Sequence, residues 1–167
     1  MEAIRNKVDE SGLVTLDLSE LIPEGERVLL DIKPWLFEEL LLKEQEFRER
    51  IKTHDWNSYS GKFVALTCSS DAIIPVWAWM LIEVALQPYA EEVVFGGLDR
   101  LEEQLLLDRI SHFEVEQYRN ARVVIKGCGD AFVPPSAYAA ITAKITPLVK
   151  SIMYGEPCST VPVMKRK

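Results

Sequence analysis

The residues of this chain with the most specific chemistry are its three cysteines. They are Cys68 in Leu66-Thr67-Cys68-Ser69-Ser70-Asp71, Cys128 in Gly127-Cys128-Gly129-Asp130, and Cys158 in Glu156-Pro157-Cys158-Ser159. Each follows a β-rich run, so all three are expected at the carboxyl ends of strands. Thiolates favour zinc, copper(I) or the iron of iron–sulfur clusters. Three of them with one further ligand complete a tetrahedral zinc or iron site. The expected ligands are Cys68, Cys128 and Cys158, with Asp71 or solvent in the fourth position and zinc or iron as the metal. Asp130 and Glu156 are alternative fourth ligands at the same edge. His54 is the better ligand chemically. It precedes the strand starting near Phe63, however, and like His112 is expected at a helix end or on the surface. No Cys-x-x-Cys pair is present, so this reading rests on topology.

The same thiols admit a second chemistry. Cys68 is expected just before a helix N-terminus, where the dipole lowers a thiol's pKa. Cys158 reads as an exposed thiol able to accept sulfur or form a mixed disulfide. Either would make a cysteine-dependent enzyme or sulfur carrier, although no cysteine has a histidine base beside it in sequence. A third reading is an interaction module without catalytic chemistry. Gly96-Gly97 and Gly127-Cys128-Gly129 lack the phosphate-binding fingerprints. Trp77, Trp79, Met80, Ile82 and Val84 make one helix apolar nearly all round. That suggests burial on several sides and a contact between copies of the chain before it suggests a cofactor.

Two of the cysteines belong to a short internal repeat about sixty residues apart. From Asp71 and from Asp130 the chain reads Asp-Ala, two apolar residues, Pro, two residues, Ala. Both segments predict a strand, a thiol, a tight turn and an aspartate capping the next helix.

The elements that would position these groups alternate. Strands are expected at Val14–Leu18, Val28–Ile32, Phe63–Thr67, Val93–Phe95, Arg122–Lys126 and Ser151–Tyr154. Helices are expected over 43–53, from Ser70 or Asp71 to about Leu86, from Asp99 to about Ser111, and over 137–145. Residues 35–42 read as either strand or helix. The predicted fold class is α/β: a mostly parallel open sheet of βαβ units with an N-terminal strand/helix extension. One domain is expected, with residues 1–61 packed on a βαβ core of 62–167. Ligands of such sheets collect beyond the carboxyl ends of the strands, where the cysteines are expected.

Composition narrows the partners. The 167 residues carry 26 acidic against 19 basic side chains, a net charge of -7. This balance argues against an electrostatic grip on nucleic acid or an anionic membrane. Met1-Glu2-Ala3-Ile4-Arg5 lacks the apolar run of a secretory leader. Residues 72–86, the most apolar stretch, are too few to span a bilayer and include Pro75 and Glu83. An odd number of cysteines suits reduced thiols in a cytoplasmic protein.

The segments KTHDWNSYSGKFVALTCSSDAIIPVWAW, VVIKGCGDAFVPPSAYA and KSIMYGEPCSTVP resemble the uncharacterised bacterial family designated domain of unknown function 2480. The resemblance covers nearly the whole chain. It implies a link to iron–sulfur cluster assembly, an accessory role in metal or sulfur handling, and SUF-pathway proteins as partners.

Overall fold

In the computed structural model, residues 12–127, 132–156 and 158–166 are described. The order is β1 (Leu13–Asp17), β2 (Arg27–Asp31), α1 (Glu44–Thr53), β3 (Phe63–Thr67), α2 (Val76–Leu86), β4 (Glu92–Phe95), α3 (Leu98–His112), β5 (Arg122–Lys126), α4 (Pro135–Ile145), β6 (Ser151–Glu156) and β7 (Ser159–Lys165). The α/β class is as predicted. The strands form two sheets, β2-β3-β4, which is wholly parallel, and β1-β5-β6-β7, in which only β7 runs antiparallel.

The chain divides into two compact units. One is continuous, Glu24–Gln104, and the other is split, combining the segments before and after it. The boundary falls inside α3.

The continuous unit is built around β3. Its FVALT sequence has four buried residues in succession, the pattern of a parallel strand covered on both faces. Its neighbours β2 and β4 pair in register from Phe63, with Arg27 and Glu92 opposite. The crossover helix α2 places Ala78, Ile82 and Leu86 in the core, each without exposed surface. Their spacing of four keeps them on one helical face. Amphipathic α1 adds Phe47 to the same core, with Ile51 packed at its margin. Its charged side is solvated and carries an Arg48–Glu44 ion pair at 2.8 Å.

The split unit repeats this plan at an offset of 59 positions, from residue 63 to residue 122. β5 replaces β3, α4 replaces α2, and β6 replaces β4. Ala137, Ile141 and Ile145 take the places of Ala78, Ile82 and Leu86, again without exposed surface. Leu106 of α3 takes the place of Phe47, and buried Tyr118 that of Tyr59. The turn before the central strand is equivalent too. Gly61 and Asn120 have φ of 68° and 61°, and their N–H groups donate to Tyr89 and Leu148 at 2.9 Å. The left-handed conformation there accounts for glycine in one unit and asparagine, the tolerated alternative, in the other. The flanking strand repeats with a different offset, because Leu13 pairs with Arg122 as Arg27 pairs with Phe63.

Two local expectations change. α2 begins at Val76, with Pro75 as its N-cap, instead of at Ser70 or Asp71. Ser70 Oγ instead accepts from Ala72 N–H at 3.2 Å and donates to the Glu39 carbonyl. Residues 35–42 form neither a strand nor an α-helix. A 3-10 turn at Lys33–Trp35 leads into a single Phe37–Leu41 bridge around Glu38 and Glu39, both with positive φ.

Candidate functional site

The carboxyl rim of each sheet is organised by one aspartate at the end of its flanking strand. In the continuous unit Asp31 accepts from Lys33 N–H and Ser69 N–H, each at 3.0 Å, and from Ser69 Oγ at 2.5 Å. In the split unit Asp17 accepts from Ser19 N–H at 3.0 Å and Ser19 Oγ at 2.6 Å, and pairs with Lys126 Nζ at 3.2 Å. Burial alone would raise both carboxyls. Hydrogen bonds, led by the Ser69 and Ser19 hydroxyls, outweigh it and hold both pKa values below the ordinary range.

The predicted ligands distribute over both units. Cys68 follows β3, half-buried at the margin of the continuous unit's core, and Asp71 is exposed in the loop before α2. Cys158 is exposed in the turn between β6 and β7 of the split unit. Both thiols are free. Glu156 lies 3.9 Å from Lys126 Nζ. Cys128 and Asp130 lie outside the described residues, and so the three-cysteine arrangement does too. Among the described residues, no group of three or more His, Cys, Asp or Glu side chains is placed to hold a metal ion.

The repeat also refines how the cysteines correspond. At the 59-residue offset Gly127 corresponds in sequence to Cys68, and Cys128 to Ser69. A Cβ at Gly127 would collide with the Tyr138 hydroxyl and crowd Val133 Cγ2 at 3.1 Å, so a side chain at this position would require Tyr138 to shift.

His54 ends α1, as expected of a helix-end histidine. Its Nε2 is 3.1 Å from Tyr59 Oη, and its ring lies 4.9 Å from Trp35 and 4.7 Å from Trp56. Burial, with Arg50 nearby, lowers its pKa, which favours the neutral ring. His112 ends α3 and is exposed.

Two features were missed from sequence, and they are equivalent to each other. In the continuous unit, Leu66, Trp79, Met80, Glu83, Val84, Val93 and Phe95 line an apolar groove of about 350 Å³ between α2 and β4. In the split unit the residues 59 positions later (Ile125, Tyr138, Ala139, Thr142, Ala143, Ile152 and Tyr154) line one of about 490 Å³. An edge-to-face aromatic pair closes each: Trp79–Phe95 at 5.0 Å and Tyr138–Tyr154 at 5.6 Å. The α2 sequence contained the signal, since a helix apolar all round must bury or present its second face. One side of α2 is core, while Met80 and Val84 are 63% and 71% exposed. Glu83 sits between them on this apolar flank, and desolvation raises its pKa.

The second groove has an additional wall. β7 pairs with β6 and contributes Val163 to the lining. In the continuous unit β4 is the last strand of its sheet. Phe95 there is 65% exposed.

These features define a class: an α/β protein made of two like units, each with an apolar groove beside its crossover helix. The chain belongs to the family described as Protein of unknown function (DUF2480), whose profile matches residues 2–166. No curated protein and no solved structure matches it. No helix among the described residues is long and apolar enough to cross a membrane.

Proposed function

We propose that this protein is an interaction module, and that the groove between α2 and β4 is its binding surface. The observation carrying this reading is the contrast between equivalent grooves. One is bordered by the chain's own β7, whereas the other leaves Met80, Val84 and Phe95 largely exposed together. Contiguous apolar surface of this kind is characteristic of binding sites. A phage-displayed random peptide library selected on the full chain tests it. The expected result is a convergent set of apolar peptides whose binding falls at least tenfold in Met80→Glu, a change at an exposed position. Failure to enrich any peptide above the Met80→Glu control rejects the reading.

A second reading, a thiol site serving metal or sulfur handling in iron–sulfur cluster assembly, is supported by two free thiols that follow parallel strands, Cys68 after β3 and Cys158 after β6. Cys68, Cys128 and Cys158 would be the ligands, with Asp71 or solvent completing a zinc or iron site. Elemental analysis of protein purified without added metal is the test. The expectation is close to stoichiometric zinc or iron that is lost in Cys128→Ser. Metal below about a tenth of an equivalent per chain, unchanged by the substitution, rejects this reading.

A further inference from the structure

We infer that the open groove is completed by an extended segment of a partner protein, which adds antiparallel to β4 and carries basic residues at its C-terminal end. This rests on the interaction-module reading and specifies the partner.

The split unit supplies the template. There β6, the counterpart of β4, is paired antiparallel by β7, with Ile152 opposite Met164 and Tyr154 opposite Val161. The counterparts of Ile152 and Tyr154 are Val93 and Phe95. Gly96 N–H donates inward to the Leu66 carbonyl at 2.9 Å. By the alternation of a ladder, Val93 and Phe95 therefore turn their backbone groups toward the outer edge of the sheet. Addition of a strand to such an edge is an established mode of peptide recognition. Its effect on burial is visible within this chain. Ile152, beneath β7, has no exposed surface, whereas Val93 is half-buried.

Charge identifies the occupant. In the template register Lys165 of β7 lies opposite Ser151, whose counterpart is Glu92. Around that point the split unit has Thr142 and Lys150 where the continuous unit has Glu83 and Glu91. The groove beside β4 and its strand edge are thus the acidic version of those bordered by β7. Short, charged edge strands deter indiscriminate pairing, and here the charge also selects. A second copy of β4 would bring the same carboxylates on a chain of net charge -7. An apolar strand ending in lysine or arginine is complementary.

The test uses the full ¹⁵N-labelled chain and two synthetic peptides, Ser-Thr-Val-Pro-Val-Met-Lys-Arg-Lys, which copies the β7 template, and the same peptide ending in Glu-Glu-Glu. The basic peptide should shift amide resonances of residues 92–96 and of α2, and give cross-strand contacts to Val93 and Phe95 in antiparallel order. The acidic-ended peptide and the Glu83→Lys variant should each bind at least tenfold more weakly. Equal affinity for the two peptides overturns the inference, as does the absence of shifts at 92–96 at millimolar peptide. Concentration-dependent self-association protecting the amides of 93 and 95 overturns it in favour of a second copy. If library peptides bind in a Met80-dependent way without perturbing β4, the interaction-module reading stands and only the strand addition fails.

Discussion

β4 and β6 hold the same place in their units, yet they meet different surroundings. Each follows a crossover helix with three aliphatic positions in the core, and each pairs parallel with its central strand in the same register. The difference is one added strand. With β7 in place, the outer strand is no longer an edge and Ile152 is fully buried. Without it, Phe95 is 65% exposed, against 44% for its counterpart Tyr154. Two copies of one plan thus separate what both units need in order to fold from what only one of them carries. The helix–sheet core is common to both units, and the sheet edge is where they diverge.

The comparison breaks most readily at the core. If the units are equivalent, Ile82→Ala and Ile141→Ala should each cost about 2–5 kcal/mol, the range for truncating a fully buried aliphatic side chain to alanine. Urea unfolding of each variant measures this. A cost below about 1 kcal/mol at either site would show that the two helices do not carry comparable cores.

A smaller effect sharpens the comparison at the rim. Asp31 and Asp17 have depressed native pKa values. Their contributions are therefore fully present above the ordinary carboxylate range and are lost as pH falls through the native values. Asp31→Asn should destabilise the protein by about 1 kcal/mol at pH 7, because Ser69 and Lys33 lose a charged acceptor at a partly exposed site. It should cost progressively less below about pH 4, where the carboxylate of the unfolded wild-type chain takes up a proton before the native one does. Asp17→Asn should behave alike, with added salt sensitivity from its ion pair with Lys126. Stability of the three proteins measured from pH 7 to pH 2 is the check, and a pH-independent cost would contradict the depressed pKa values.

Much of this architecture was legible in the residues. β3 and β5 announce themselves as apolar runs, and the Asp-Ala-x-x-Pro repeat marked equivalent strand–loop–helix passages. The helix start at Val76 was not legible, because Ser70 and Asp71 are good capping residues and only the loop's contact with Glu39 shows Ser70 used elsewhere. β7 was missed because Pro162 and the charged residues after it resemble a solvated tail. Proline is tolerated there because β7 is itself the last strand of its sheet. The thiols stand out by chemical type alone, whereas the groove depends on which flank of α2 its sheet leaves uncovered. Periodicity cannot report that for a helix apolar on every side.

The split of one unit has a consequence for how the chain acquires its structure. Every strand of the β2-β3-β4 sheet has been synthesised once Phe95 is complete, so that sheet can form from contiguous chain. Residues 13–17 emerge earlier still, but their hydrogen-bonding partners at 122–126 are not made until much later. Closing so long a loop is slow, although the entropy penalty grows only gently with length. During translation β1 therefore cannot make its native pairing until β5 has emerged, whereas the β2-β3-β4 sheet has all its strands well before then.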